Sequence, residues 1–538
     1  MDKNIPNENE YWQRFKTYFC HSAELELAID ISRMNFPENY FEIMEPAIQK
    51  AYIEMDRLED GIIANPDEDR MVGHYWLRAP WLAPQNSIRC GIENSLQAIK
   101  EFVSNVHEGV IRLEQDKKYK YFILIGIGGS ALGPQLLADA MKLKLADKTR
   151  GFLKPYFLDN TDPDGIDRIL IELRDVLAET LVLVVSKSGG TVETYNGLVE
   201  LQHAYRLQGL EFARHALAVT CSGSKLALRA REENWLAILP IWEWVGGRTS
   251  ITSAVGLLPA ALLGIDIDAF LTGARLCDEL TRTRDTLANP AALLALMWYY
   301  AAGGHGKRDM VILPYKDSLQ YLARYLQQLI MESIGKELDR DDNTVHQGLT
   351  VYGNKGSTDQ HAYVQQLLDG VNNFFVTFVE VLADEREELL YVRDDITSGD
   401  YLRAFLLGTR RALTLKGRES ITITLKKVDA RSLGAIIALF ERAVGLYASL
   451  VNINAYDQPG VELGKKGANM VIDMLAEAQE YIRDKKGEIV TVEEIIGACG
   501  YPGEHETMFK VLEYLCADGN RGIKKVYGTD YFDSGYSW

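Results

Sequence analysis

Cysteine, proline and positive charge are all scarce in this chain of 538 residues. Its six cysteines (Cys20, Cys90, Cys221, Cys277, Cys499 and Cys516) are scattered and form no CxxC pair. That spacing fits neither a zinc site nor a disulfide framework, and reduced thiols in or near the core are expected. Nine histidines occur without HExxH or a comparable spacing, so no metal is expected. No uninterrupted apolar run approaches the roughly 18 residues that a bilayer span requires, which argues against a membrane partner. The start, MDKNIPNENEYWQRF, is polar and then amphipathic, unlike a secretory signal, and a cytoplasmic location is expected. Lysine and arginine number 58 against 76 acidic residues, for a net charge of −18. Affinity for nucleic acid comes from clustered cations that neutralise phosphates, so that partner class is disfavoured. The Walker pattern GxxxxGK[ST] is missing too, which disfavours a nucleoside triphosphate.

What the sequence does contain is alternation. Residues 1–110 read mostly as helices, with FEIMEPAIQKAYIEMDRLEDG spaced near 3.6 and stopping at Gly61. From about residue 118, short apolar runs (YFILIGIG, KPYFLDN, TLVLVVSKS, HALAVTCSG) are separated by helical stretches. A helix-rich connection follows, and then a second set, DMVILPYKD, NFFVTFVEV and ITITLKKV. Such alternation predicts parallel sheets with crossover helices, and hence an α/β protein of two tandem units. The tail opens with a capping-box pattern, Thr491 to Glu494, and reads as a small helical appendix.

Two glycine loops interrupt strand-to-helix transitions. In YFILIGIGGSALGP, Gly126, Gly128 and Ala131 satisfy a loose G-x-G-x-x-A dinucleotide fingerprint. The acidic partner that fingerprint wants about 20 residues on is missing at that distance, and Asp159 lies about 30 on. A contact between this loop, through Gly129 and Ser130, and a sugar phosphate is the favoured reading. The second loop, SKSGGTVET, clusters the hydroxyls of Ser186, Ser188 and Thr191 around Lys187, and a helix follows. Gly189 and Gly190 let backbone N–H groups turn inward, and a helix N-terminus adds unpaired N–H groups and a positive dipole end. A monoester dianion suits such a seat. An ordinary serine-capped helix is the plainer alternative.

Six motifs then occur in order: GIGGSALGP, SKSGGT, WEWVGGRTSITSAVGLLP, MESIGKELD, NKGSTDQHAYVQQLLDG and QPGVELGKK. This series resembles the glucose-6-phosphate isomerase family, over about residues 60–480 and in its bacterial form. The resemblance implies two sugar-isomerase (SIS) domains, each a parallel-sheet α/β sandwich, at 111–285 (phosphate-binding) and 286–484 (catalytic). A helical N-terminal segment, 1–110, would pack on the second domain, and 485–538 would remain as the appendix. It also implies a homodimer, no metal or other cofactor, and interconversion of glucose 6-phosphate and fructose 6-phosphate. SKSGGT stands where many relatives carry SKTFTT, and STDQHAY where they carry TNGQHAF.

The resemblance assigns roles residue by residue. Glu332 is similar to the base that moves a proton between C1 and C2, with Gln328 one turn before it on the same helix face, Tyr325 nearby, and Gly335 ending the helix. Arg248, after Gly246 and Gly247, matches the cation facing the enediolate, and Gly247 would border the sugar. His361 matches the ring-opening residue, which in related dimers reaches into the neighbour's site. Lys465 matches the lysine assisting at the ring oxygen, with Gln458 seven residues before it and Pro459 in the first helical turn. Lys187, Arg248 and Lys465 would then concentrate positive potential inside an acidic molecule. A non-catalytic SIS-type sugar-phosphate sensor is the alternative, and it would not need Glu332, His361 and Lys465 together. A nicotinamide-dependent oxidoreductase rests on the first glycine loop alone. Isomerases of mannose or glucosamine phosphates share the fold, and the sequence does not distinguish them.

Overall fold

The computed structural model describes residues 8–111, 117–142, 152–384, 386 and 388–538. The polar stretch MDKNIPN, residues 1–7, lies outside them. The chain divides into two compact units, Met1–Asp457 and Gln458–Trp538.

Two sheets organise the first unit. Five parallel strands form one, in the order Lys154–Leu158, Tyr121–Ile125, Thr180–Val185, Ala216–Cys221, Ala237–Ile241. The central strand Thr180–Val185 is buried at every residue, as expected of a parallel strand covered on both faces. Ala237–Ile241, within LAILPIWEW, is not among the apolar runs that stand out in the sequence. Pro240 interrupts it, and proline is tolerated because this is an edge strand.

The second sheet has six strands, in the order Phe19–Ser22, Leu27–Arg33, Ser420–Leu425, Phe374–Val381, Asp309–Pro314, Val351–Tyr352. Its last four strands are parallel, and the first two join antiparallel, with Ile29 opposite Ile423. Here the expectation of a helical 1–110 segment is corrected. The segment holds the helices Glu8–Thr17, Tyr40–Glu59 and Asn86–Glu108, yet its residues 19–33 form a hairpin that extends the second sheet. Asp30 obscures this strand in the sequence. It is buried in mid-strand and paired with Arg410 of the Ser398–Leu415 helix, a partner 380 residues away.

The helix Ala430–Leu450 packs against Ile267–Thr281, Pro290–Ala302 and Tyr40–Glu59. Among the described residues it is the one helix long and apolar enough to cross a membrane, but 89% of that window is buried inside the protein. It is a core helix. Its two buried charged residues, Glu441 and Arg442, belong to a network: Arg78 forks onto Asp278 (2.5 and 2.9 Å) and donates to Glu441 (2.5 Å). Arg442 pairs with Glu59 and lies 3.2 Å from Asp278, while Arg282 reaches Glu59 at 2.7 Å. Three guanidinium groups thus face three carboxylates, and the network is neutral as a whole.

The second unit is built on the helix Pro459–Asp484, whose Met474, Ala478 and Ile482 pack against Ile495, Leu512 and Tyr536. The capping box is present: Thr491 and Glu494 exchange hydrogen bonds of 2.9 and 3.3 Å. The expected boundary at 484/485 follows the end of the recognisable motifs. The structural boundary follows apolar packing, which draws the long helix into one body with the tail. All six cysteines are free thiols; Cys20 and Cys277 are buried and Cys90 is exposed.

Removing one member of a buried ion-pair network leaves uncompensated charge in the core. Arg78→Met should therefore destabilise the protein by about 3–5 kcal/mol, read as a fall in the midpoint of urea unfolding.

Candidate active site

In the five-stranded sheet the chain leaves Tyr121–Ile125 toward one edge and then returns to form Thr180–Val185 on its other side. Open parallel sheets bind ligands outside the carboxyl ends of the strands at such a reversal. The loops that follow those two strands are the two glycine loops.

Each loop leads into a helix whose N-terminus its own side chains leave uncapped. Gly128 precedes Gly129–Ala140, and Thr191 precedes Val192–Leu207; neither supplies a side-chain cap. Elsewhere in this unit Asp162, Ser224, Ser253, Asp266 and Asn289 each cap their own helix. The plainer reading of a serine-capped helix at SKSGGT is thereby set aside. The Thr191 hydroxyl bonds to that of Ser186 (2.9 Å), the Ser186 hydroxyl accepts from Gly189 N–H (3.1 Å), and Ser188 accepts from Gly190 N–H (3.2 Å). These bonds hold the loop in a curl while the first-turn N–H groups keep their positive dipole end, which favours an anion.

Lys187 plays a different part from the one its charge suggests. Its ammonium donates to the carbonyl oxygens of Glu243 (2.9 Å) and Val245 (2.8 Å), tying the loop to the segment before Gly246. Burial lowers its pKa from the ordinary lysine value, and nearby Arg70 adds to that direction.

The two halves of the site meet at glycine. A β-carbon on Gly129 would lie 2.0 Å from the Gly247 carbonyl oxygen, so the first loop and the GGR loop touch through bare backbone. Ser250 donates to Gly247 O (2.7 Å) and approaches Gly129 O (3.4 Å), fastening the junction. Ser130 is half-buried in the same turn.

Arg248 emerges from this junction, buried to 6% exposure. Its Nη1 donates to Glu332 Oε1 at 2.6 Å, and its Nη2 donates to the carbonyls of Ala455 and Asp457, both at 2.8 Å. Tyr325, buried below, donates to Arg248 O at 3.5 Å. Glu332 ends a π-helical turn, Gln327–Glu332, that continues the helix Leu322–Leu326. The helical trace stops at Ile334, with Gly335 the first residue beyond it, as expected. Wide turns of this kind are frequent at functional sites because they re-aim side chains. Gln328, in the same turn, faces the first glycine loop, its amide nitrogen 3.0 Å from where a Gly128 β-carbon would lie. A cavity of about 280 Å³ opens there, lined by Gly128, Asp159, Arg324 and Gln328. Asp159 accepts from Gln135 (2.8 Å) and pairs with Arg324 (3.7 Å), so the acid that a dinucleotide would need is already engaged.

His361 is exposed at the end of the turn Thr358–His361. The turn is held by Asp359, which accepts from Asn354 N–H (2.9 Å) and Tyr363 OH (2.7 Å), and by Gln360, which donates to Thr409 and to Phe405 O (3.3 Å). Gln458 and Lys465 belong to the second compact unit, where Gln458 precedes the helix Pro459–Asp484 and Lys465 lies exposed in its second turn. Lys336 was not anticipated as a site residue. It is buried, and its ammonium donates to the Glu332 carbonyl at 2.9 Å. Its place in MESIGKELD, four residues after Glu332, was the available signal. Among the described residues, no group of three or more His, Cys, Asp or Glu side chains is placed to hold a metal ion.

Residues 30–404 and 407–487 match the pattern of the family described as phosphoglucose isomerase. The chain is 55% identical to the glucose-6-phosphate isomerase of Geotalea daltonii over 98% of both chains. It is 57% identical to that of Geobacter sulfurreducens, over 96% of this chain and 97% of the relative. Among solved structures, a glucose-6-phosphate isomerase from Chlamydia trachomatis shares the fold, with a TM-score of 0.80 at 23% identity, covering 95% of this chain and 96% of that one.

Ser186→Ala removes the hydroxyl that joins Thr191 to Gly189 in the curl. Isothermal titration with inorganic phosphate should show binding weakened roughly fivefold, the worth of about one net hydrogen bond.

Proposed function

The chain belongs to the phosphoglucose isomerase family and interconverts glucose 6-phosphate and fructose 6-phosphate; from that premise we propose that Glu332 carries the proton between C1 and C2. The observation that carries this reading is the Glu332 carboxylate, 2.6 Å from Arg248 and one turn from a glutamine that faces the anion-holding loops. No observation favours a non-catalytic sensor, which needs no such pair.

The sugar's phosphate sits against the N-termini of Gly129–Ala140 and Val192–Leu207, contacting Gly129, Ser130, Ser186, Ser188 and Thr191. Lys187 holds that loop in place through its two carbonyl partners. Gly247 lies alongside the sugar because no side chain intervenes. Glu332 Oε1 stays on Arg248, and Oε2 takes the proton from C2 of the aldose and returns it at C1. The negative charge then developing on the enediolate oxygens is met by the Arg248 guanidinium, whose orientation is fixed by the Ala455 and Asp457 carbonyls. Gln328 orients the sugar edge. His361 opens the ring, and Lys465, with Gln458, assists at the ring oxygen.

His361 acts in the site of a second copy of this chain. It is exposed, and its turn is tied through Gln360 to a helix bearing exposed Tyr401, Phe405 and Leu407. Leu389, Leu390, Tyr391 and Val392 just before that helix are exposed as well. An apolar surface so concentrated fits burial against a partner. The reaction takes place in the cytoplasm.

Glu332→Gln should bind fructose 6-phosphate normally while C2 proton exchange with solvent, followed by NMR in D₂O, falls by about 100-fold or more. Unchanged exchange removes Glu332 from the mechanism. Sharing of the site between subunits has a sharper test. Mixing inactive Glu332→Gln with inactive His361→Ala after partial unfolding and refolding should restore about one quarter of parental activity, since half the dimers are mixed and each has one intact site. No recovery would place both residues in the site of one chain.

A further inference from the structure

The π-helical turn that carries Glu332 ends at a carbonyl that a regular continuation of the helix would pair. Lys336 takes that place: its ammonium donates to Glu332 O at 2.9 Å. The same ammonium donates to Asp457 O at 3.3 Å and pairs with Asp457 Oδ1 at 3.2 Å. Asp457 O is also the acceptor for Arg248 Nη2, at 2.8 Å. Four groups thus close a ring: Glu332 to Arg248 through their side chains, Arg248 to the Asp457 carbonyl, Asp457 to Lys336, and Lys336 back to the Glu332 backbone.

The lysine is buried almost completely, its side chain 5% exposed. Burial lowers its pKa, while Asp457 acts in the opposite direction. Burial likewise raises the Asp457 carboxyl, with Lys336 opposing. Burying a lysine and an aspartate together is a poor route to stability, because the desolvation of both charges offsets their attraction. Their location supplies a better reason. The ring holds the base and its cation through the Glu332 carbonyl and the Asp457 carbonyl.

We propose that Lys336 is a positioning residue for the isomerisation, fixing the Glu332 backbone and the Arg248 guanidinium relative to one another through Asp457. It touches no reacting atom. Without it the π turn is free to relax, and Glu332 Oε2 drifts from the line between C1 and C2. The inference rests on Glu332 as the proton carrier, so Glu332→Gln is assayed alongside: full activity there would sink that assignment whatever Lys336 does.

The experiment measures kcat and KM for fructose 6-phosphate, together with thermal midpoints, in Lys336→Met, Lys336→Arg and Lys336→Met/Asp457→Asn. Misplacing a catalytic group by about 1 Å costs on the order of 100-fold, and that fall in kcat is expected for Lys336→Met with KM unchanged, because the phosphate loops are untouched. Lys336→Arg should regain part of the loss, since a cation again bridges the two carbonyls. The double variant leaves no buried charge unpaired; it should melt where the parent does and still show the low kcat. Parental kcat in Lys336→Met or in the double variant overturns the proposal. So does failure of both methionine variants to fold, which would make Lys336 a residue of the fold alone.

Discussion

The site exists because two stretches of backbone meet at Gly129, where a β-carbon would not fit. Gly129 lies so close to the Gly247 carbonyl that alanine there would sit 2.0 Å from it. The first glycine loop lies at the sheet's topological reversal, and the GGR loop carries Arg248. Their contact fixes how far Arg248 and its partner Glu332 lie from the first glycine loop. Everything else adjusts to that spacing. Lys187 ties the other anion loop to the carbonyls just before Gly246, Ser250 fastens the junction, and Gln328 closes against Gly128. The Glu332 turn approaches from the second sheet's side of the molecule and is met by the guanidinium.

Much of this was legible in the sequence, and the exceptions have physical causes. Apolar runs such as Thr180–Val185 and Phe374–Val381 declare themselves because parallel strands are covered on both faces. The hairpin at 19–33 does not, because Asp30 breaks the run and makes sense only once Arg410 is beside it. Local periodicity cannot report a partner that distant. For the site, a helix face and a glycine-flanked arginine could be read directly, but their meeting at 2.6 Å across 84 residues of chain is tertiary information. Lys187 was legible as a cation, but its two carbonyl partners on the segment before Gly246 are tertiary information. Lys336 was hidden. Nothing in GKELD tells a buried lysine from a solvated one.

Charge in this molecule is handled locally. The surface and composition are strongly acidic, yet the interior network around Arg78, Asp278 and Arg442 sums to zero, and Arg248 is matched by Glu332. Lys336 is matched by Asp457. On the reading proposed above, a substrate dianion meets cations that in this unit already have carboxylate or carbonyl partners. On the same proposed reading, attraction comes from oriented dipoles at the two uncapped helix ends.

A seat assembled from amide and hydroxyl groups has no proton to gain or lose between mild acid and mild alkali. The ionic form of the ligand then sets the acid limit of capture. A phosphate monoester loses its second proton near pH 6, on the order of one unit below neutrality. Acidification would thus loosen the grip on the hexose by changing the hexose, while the cradle itself stays as it was.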